Sequence, residues 1–128
     1  MRFLLDTHAF LWFILNDSRA STVAFRLISD PANEILLSPA TYWEIAIKIG
    51  LGKYELPEPF DAFITRQVED NRFTILPVEI RHTARLIGMP FHHRDPFDRL
   101  LAAQALADQL ALISRDEVFD AYGVLRYW

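Results

Sequence analysis

The sequence predicts an α/β fold: three layers, α/β/α, around a short central parallel sheet. Two observations point there. Short apolar runs alternate with segments of helical character along the chain. These runs are apolar throughout rather than at every second position, as expected of parallel strands covered on both faces. A length of 128 residues suits one domain. No repeat, low-complexity tract or linker divides it, so residues 1–128 are expected to form a single domain.

Arg2–Leu5 is a short apolar run ending in an acid, and reads as a buried strand. His8–Leu15 is apolar almost throughout and reads as a helix, Asn16–Ser18 as a turn, and Ser21–Ser29 as a second helix. Ile35–Leu37 is the second strand. Ser38 and Pro39 pair an N-cap with proline at the first helical position. That third helix runs to about Gly50, with Gly50 and Gly52 as stop signals. Leu56–Pro59 is a proline-rich connection, Phe60–Glu69 a fourth helix and Phe73–Leu76 a third strand. Glu79–Ile87 is a fifth helix, ended by Gly88 and Pro90. Asp95 and Pro96 open a long helix to about Gln109. Ala111–Ile113 is a fourth strand, Glu117–Tyr122 a short helix and Val124–Tyr127 a last strand.

Composition narrows the function. Hydrophobic residues make up 52% and charged residues 23%, which excludes disorder. The absence of cysteine excludes a disulfide scaffold, a thiolate zinc site and cysteine catalysis. The net charge of −4 speaks against a non-specific DNA binder, but is compatible with a nuclease whose acids gather at a metal. No secretion signal is visible and no apolar stretch is long enough to span a bilayer. A cytoplasmic protein without a membrane partner is expected.

In open parallel sheets the site lies beyond the carboxyl ends of the strands. Asp6 directly follows the first strand, and Asp116 lies just past the fourth. Asp98 stands in the first turn of the long helix, and Glu44 midway along the third. Each acid also has a plain reading as a cap, a dipole-favoured residue or half of a surface ion pair. Glu44 resists that reading. At 100° per residue, Thr41, Glu44 and Lys48 fall in a stripe only about 60° wide. Ala40 and Ile47 wall it on one side, Ile45 and Ile49 on the other, and Trp43, Ala46 and Gly50 fill the back. The pattern predicts a helix buried on most sides, with a narrow polar strip facing a cleft.

Two carboxylates at about 6 Å repel by roughly 3 kcal/mol at an effective dielectric near 20. Four converging acids make six pairs and a total on the order of 15 kcal/mol, beyond what a domain stable by about 5–15 kcal/mol can carry. Some acids must then be protonated, or a divalent cation must sit among them. Oxygen ligands without cysteine point to Mg²⁺ or Mn²⁺. Such a cluster at the open edge of an α/β sheet suits phosphodiester hydrolysis by metal-activated water.

The segments LLDTHAFLW, SPATYWEIAIKIGLGK, HRDPFDRLLAAQA and LISRDEVFDAYGV, in this order and spacing, resemble the PIN-domain family. Within it they look like the VapC-type toxins of bacterial toxin–antitoxin pairs. The resemblance spans essentially the whole chain. It implies a metal-dependent endoribonuclease acting on RNA, an antitoxin partner and frequent homodimers. Asp6, Glu44, Asp98 and Asp116 match the family's four acids in turn, with the roles of metal ligands and catalytic groups. Asp95 is expected to cap its helix or to reach the metal through water. Thr7 and Ser114 resemble hydroxyls that line such sites.

Among the other residues, His82 reads as a surface residue, and His92 and His93 as a solvated pair in a loop near the site. Trp12, Trp43 and Trp128 read as core. Arg94, Arg99 and Arg115 flank the acids, either holding phosphates or balancing charge. The run Phe10–Leu15 predicts an apolar groove between the first two helices, lined by Trp12 or Phe13, for the antitoxin's C-terminal segment or a second copy. Two rival readings stay open. One is a non-catalytic interaction module whose acids are caps and ion pairs. The other is a different Asp-based phosphoryl-transfer domain, although His8 stands where a second nucleophilic-site Asp would be needed.

Overall fold

Arg2–Leu5 forms strand β1 at the centre of a five-stranded sheet. A computed structural model describes all residues, Met1–Trp128. The other strands are β2 (Glu34–Leu37), β3 (Thr74–Ile75), β4 (Ala111–Ile113) and β5 (Arg126–Tyr127). The order is β3-β2-β1-β4-β5, and every pairing is parallel. The chain steps outward from β1 to β3, then returns to place β4 on the other side of β1. The strand order therefore reverses between β1 and β4, and ligand sites open at such a point.

Side chains alternate across the sheet. Phe3 and Leu5 of β1 join Ile35, Leu37 and Ile113 in a core under α1 (Thr7–Ile14), α2 (Thr22–Ser29), α3 (Pro39–Gly50) and α4 (Phe60–Asp70). Leu4, Leu36 and Leu112 face the opposite way. They pack with α6 (Pro96–Ala107) and with Phe119 of a 3-10 helix (Glu117–Tyr122), while α5 (Ile80–Ile87) lies against α6. Apolar side chains on both faces of one strand explain the continuous apolar runs.

The element boundaries differ little from expectation. The first helix starts at Thr7, because Asp6 caps it by accepting Ala9 N–H at 2.7 Å. Ser38 caps α3 through Ala40 N–H, with Pro39 in the first turn. The two edge strands shrink to two residues each. Glu117–Tyr122 closes as a 3-10 helix, and Gly123, at φ +79°, ends it in the left-handed region that glycine tolerates.

Four expectations are corrected. First, α3 is not buried on most sides: Thr41, Glu44 and Ile45 are buried, whereas Trp43, Ala46, Ile47 and Gly50 are exposed. A five-stranded sheet covers one face of this helix and nothing covers the other. Trp43 is consequently 61% exposed rather than core, while Trp12 is buried and Trp128 half-buried.

Second, His82 is fully buried. Its Nδ1 accepts Glu79 N–H at 2.9 Å, so its Nε2–H donates to Asp108 at 3.0 Å. A ring with both nitrogens satisfied is buried without penalty.

Third, the hollow between α1 and α2, about 860 Å³, is lined by Trp12 and Phe25 but not by Phe13, and polar residues such as Asn16, Asp17, Ser21, Thr22, Arg26 and Asp30 make up most of its rim, so it is of mixed character rather than wholly apolar. Trp12 lies beneath Arg19, Arg115 and Trp128, and Phe13 packs on Phe25 and Phe73. Fourth, Arg99 faces away from the acids, as described below.

Candidate metal centre

Asp6, at the end of β1, is buried and doubly held. Its Oδ1 accepts Ala9 N–H at 2.7 Å, and its Oδ2 accepts the Ser114 hydroxyl at 2.5 Å. Ser114 follows β4, the neighbouring strand, and its Oγ also accepts Asp116 N–H at 3.0 Å. One serine therefore ties together the acids that follow the two strands at the reversal point. Burial pushes the Asp6 carboxyl above its ordinary range, against the hydrogen bonds from Ser114 and Ala9.

Glu44 reaches the same edge from α3. It is buried, accepts the Thr7 hydroxyl at 2.6 Å and pairs with Lys48 Nζ at 2.7 Å. Asp116 accepts Val118 N–H at 3.0 Å, so the cap of the 3-10 helix also fixes this carboxylate. Asp95 caps α6, accepting Phe97 N–H at 2.8 Å and Asp98 N–H at 3.3 Å.

Asp98, one turn into α6, is where the charges meet. Burial and then repulsion from Asp95, Asp6, Glu44 and Asp116 push its carboxyl up to about 8. The acids named from the sequence thus act on one group, and that group stays neutral at pH 7. This is one of the two ways out of the repulsion. Lys48 beside Glu44 supplies further relief.

His93 is the residue that sequence reasoning missed. Its Nε2 lies 3.0 Å from Asp98 Oδ2 and 3.1 Å from Asp116 Oδ2. These three side chains alone offer ligand atoms within 4.8 Å of one another; Asp6 and Glu44 stand outside that tight group. The expectation that His93 is only solvated is corrected, whereas His92 is exposed and sits edge-on to Tyr122. No periodicity marks a loop histidine. The available signal was its place two residues before the capping Asp95.

Arg99 does not balance the acids. It is buried, donates to the carbonyls of Pro90 and Met89 and to the Tyr122 hydroxyl, and lies 4.1 Å from the Phe91 ring centre. Arg94 and Arg115 are exposed, and Arg115 stacks on Trp12. The donor set suits a hard divalent cation: several carboxylates, two hydroxyls, no thiol, and one carboxyl kept neutral by burial and by its neighbours' charge.

Residues 3–125 match the PIN domain. The chain belongs to the PIN domain family. Over 78 residues this PIN domain is 37% identical to Ribonuclease VapC16 of Mycobacterium tuberculosis (strain ATCC 25618 / H37Rv). The match covers 59% of this chain and 51% of that protein, so the chain spans about half the length of the curated relative it matches. Among solved structures, VapBC2 from Rickettsia felis bound to a DNA fragment from their promoter superposes with TM-score 0.69 at 16% identity, over 99% of this chain and 98% of that one. FitAcB from Neisseria gonorrhoeae does so with TM-score 0.67 at 20% identity, over 98% and 96%. At such identities the likeness concerns the fold. In this PIN domain no helix is long and apolar enough to cross a membrane.

Proposed function

We propose that this PIN domain is a metal-dependent endoribonuclease that hydrolyses RNA phosphodiester bonds, and that it is the toxin of a toxin–antitoxin pair. The carrying observation is that Asp98 and Asp116 meet at His93 where the strand order reverses, with Asp6 tied to Asp116 through Ser114, and Asp6, Glu44 and Asp95 near enough to raise the Asp98 carboxyl. The ribonuclease name of the relative gives the substrate class, and the VapBC complexes suggest the antitoxin partner. Asp6, Glu44, Asp98 and Asp116 would hold Mg²⁺ or Mn²⁺, with Asp95 at the rim. A cation bound there would activate water for attack on phosphorus and neutralise charge on the phosphate.

The chain's own residues prepare that site. Ser114 and the Ala9 N–H orient Asp6, Thr7 orients Glu44, and the Val118 N–H orients Asp116. Arg94 and Arg115, exposed and beside the acids in sequence, would meet backbone phosphates. The antitoxin is expected over α1 and α2, where Leu15, Val23 and Phe25 are the exposed apolar side chains. A homodimer is expected through the uncovered face of α3.

The test is cleavage of RNA by the purified chain, with and without excess EDTA, beside Asp6→Asn and Asp98→Asn. Cleavage that needs added Mg²⁺ or Mn²⁺ and falls at least 100-fold in both variants is expected. Full activity in excess EDTA overturns the metal mechanism.

A further inference from the structure

His93 does more than sit beside the acids: its proton inventory is fixed by the backbone. Asp95 N–H donates to His93 Nδ1 at 3.1 Å, so Nδ1 carries a lone pair and no proton. The proton is then on Nε2, the nitrogen 3.0 and 3.1 Å from the carboxylate oxygens of Asp98 and Asp116. In this pose the ring donates to Asp116, and the same nitrogen lies as close to Asp98. It has no lone pair on Nε2 to offer a metal ion.

The pose is built rather than incidental. The His93 N–H donates to the Tyr122 hydroxyl at 2.9 Å, and Arg99 donates to that same hydroxyl at 3.2 Å. Arg99 also binds the Pro90 carbonyl at 2.8 Å and lies over Phe91. The segment Met89–Asp95 is therefore pinned at five places by one buried guanidinium, one phenol and one helix cap.

We propose that His93 is a placeholder for the cation, held in the acidic centre by Arg99 and Tyr122 as positioning residues. Its N–H holds the Asp116 carboxylate beside the Asp98 carboxyl before metal arrives. Asp98 and Asp116 would hold the cation through oxygens that the ring now occupies. Loading therefore requires His93 to leave, and the Met89–Asp95 loop releases as the site fills. The inference rests on the metal-centre reading above and adds a closed state to it.

A ligand and a placeholder predict opposite signs. Mg²⁺ and Mn²⁺ are titrated calorimetrically into the full chain, His93→Ala and Tyr122→Phe. Removing the ring should tighten cation binding roughly tenfold or more, since the hydrogen bond to Asp116 no longer needs breaking. Tyr122→Phe leaves every acid in place and loosens the loop, so it should tighten binding about threefold. It also keeps the test open if His93→Ala fails to fold. In the unsubstituted chain the His93 Nε2–H resonance should move on adding diamagnetic Mg²⁺. Weaker or unchanged affinity in both variants, with the parent still binding, overturns the placeholder and leaves the metal centre standing. Absence of cation binding by the parent and by both variants overturns both.

Discussion

Asp98 keeps its proton to about pH 8 because its carboxyl is buried among four other acids. That has a consequence for the metal-free chain. The native state holds a proton that the unfolded state releases near pH 4, so the contribution of this group to stability is fully present below that pH and is lost as pH rises through about 8. Melting followed in EDTA should therefore show the midpoint falling between pH 5.5 and 8. Asp98→Asn should remove much of that slope and raise the midpoint at pH 8 by roughly 5 °C or more. Added Mg²⁺ should stabilise the parent more at pH 8 than at pH 6, because the cation replaces a proton only partly present at the higher pH. Parallel pH profiles for parent and variant would dispose of the assignment.

Helix α5 separates what a helical pattern reveals from what it conceals. Ile80, Ala84 and Ile87 look like its core face, yet all three are exposed, and the helix turns His82, Leu86 and the following Met89 inward. Asp108, at the end of α6, makes this possible: it accepts from His82 Nε2 and from Arg81. Arg81 also pairs with Glu79. His82→Ala leaves Asp108 and the Glu79 N–H without their partner and opens a cavity, so it should cost roughly 2–4 kcal/mol. Denaturant unfolding measures this, and a loss under about 0.5 kcal/mol would mean that the ring is not structural.

The same contrast explains what was legible beforehand. Asp6 and Asp116 could be placed because parallel strands end on one edge. Glu44 could be placed because its stripe is narrow, and Asp98 because a proline and a cap fix where α6 begins. His82 and His93 could not, since each depends on a carboxylate distant in sequence, 26 and 23 positions away. The apolar side chains of α3 read as core because polarity alone does not distinguish a covered helix face from an uncovered one.

For the whole molecule, that uncovered face of α3 is the feature that an isolated monomer leaves unexplained. Trp43, Ala46, Ile47, Gly50 and Leu51 fall at successive spacings of three, one, three and one, and all are exposed and uncharged. This is the stripe with which helices bury themselves, turned toward solvent. Trp43 rests edge-on against Phe97, and these two precede Glu44 and Asp98 in sequence. The stripe thus borders the acidic centre. The small Ala46 and Gly50 leave room for a large side chain from a second copy, and a two-fold axis through the stripe would match it to itself. Such a dimer would bring two acidic centres to one shared cleft, framed by both copies. Removing a Leu or Ile from water contributes about 1.5–3 kcal/mol, and a two-fold interface counts each residue twice. Ile47→Glu should therefore weaken self-association at least 100-fold, while leaving the monomer folded because the side chain is already 40% exposed. Sedimentation equilibrium of parent and variant over a concentration series reads this directly. A parent that stays monomeric at hundreds of micromolar would show that the stripe meets another molecule.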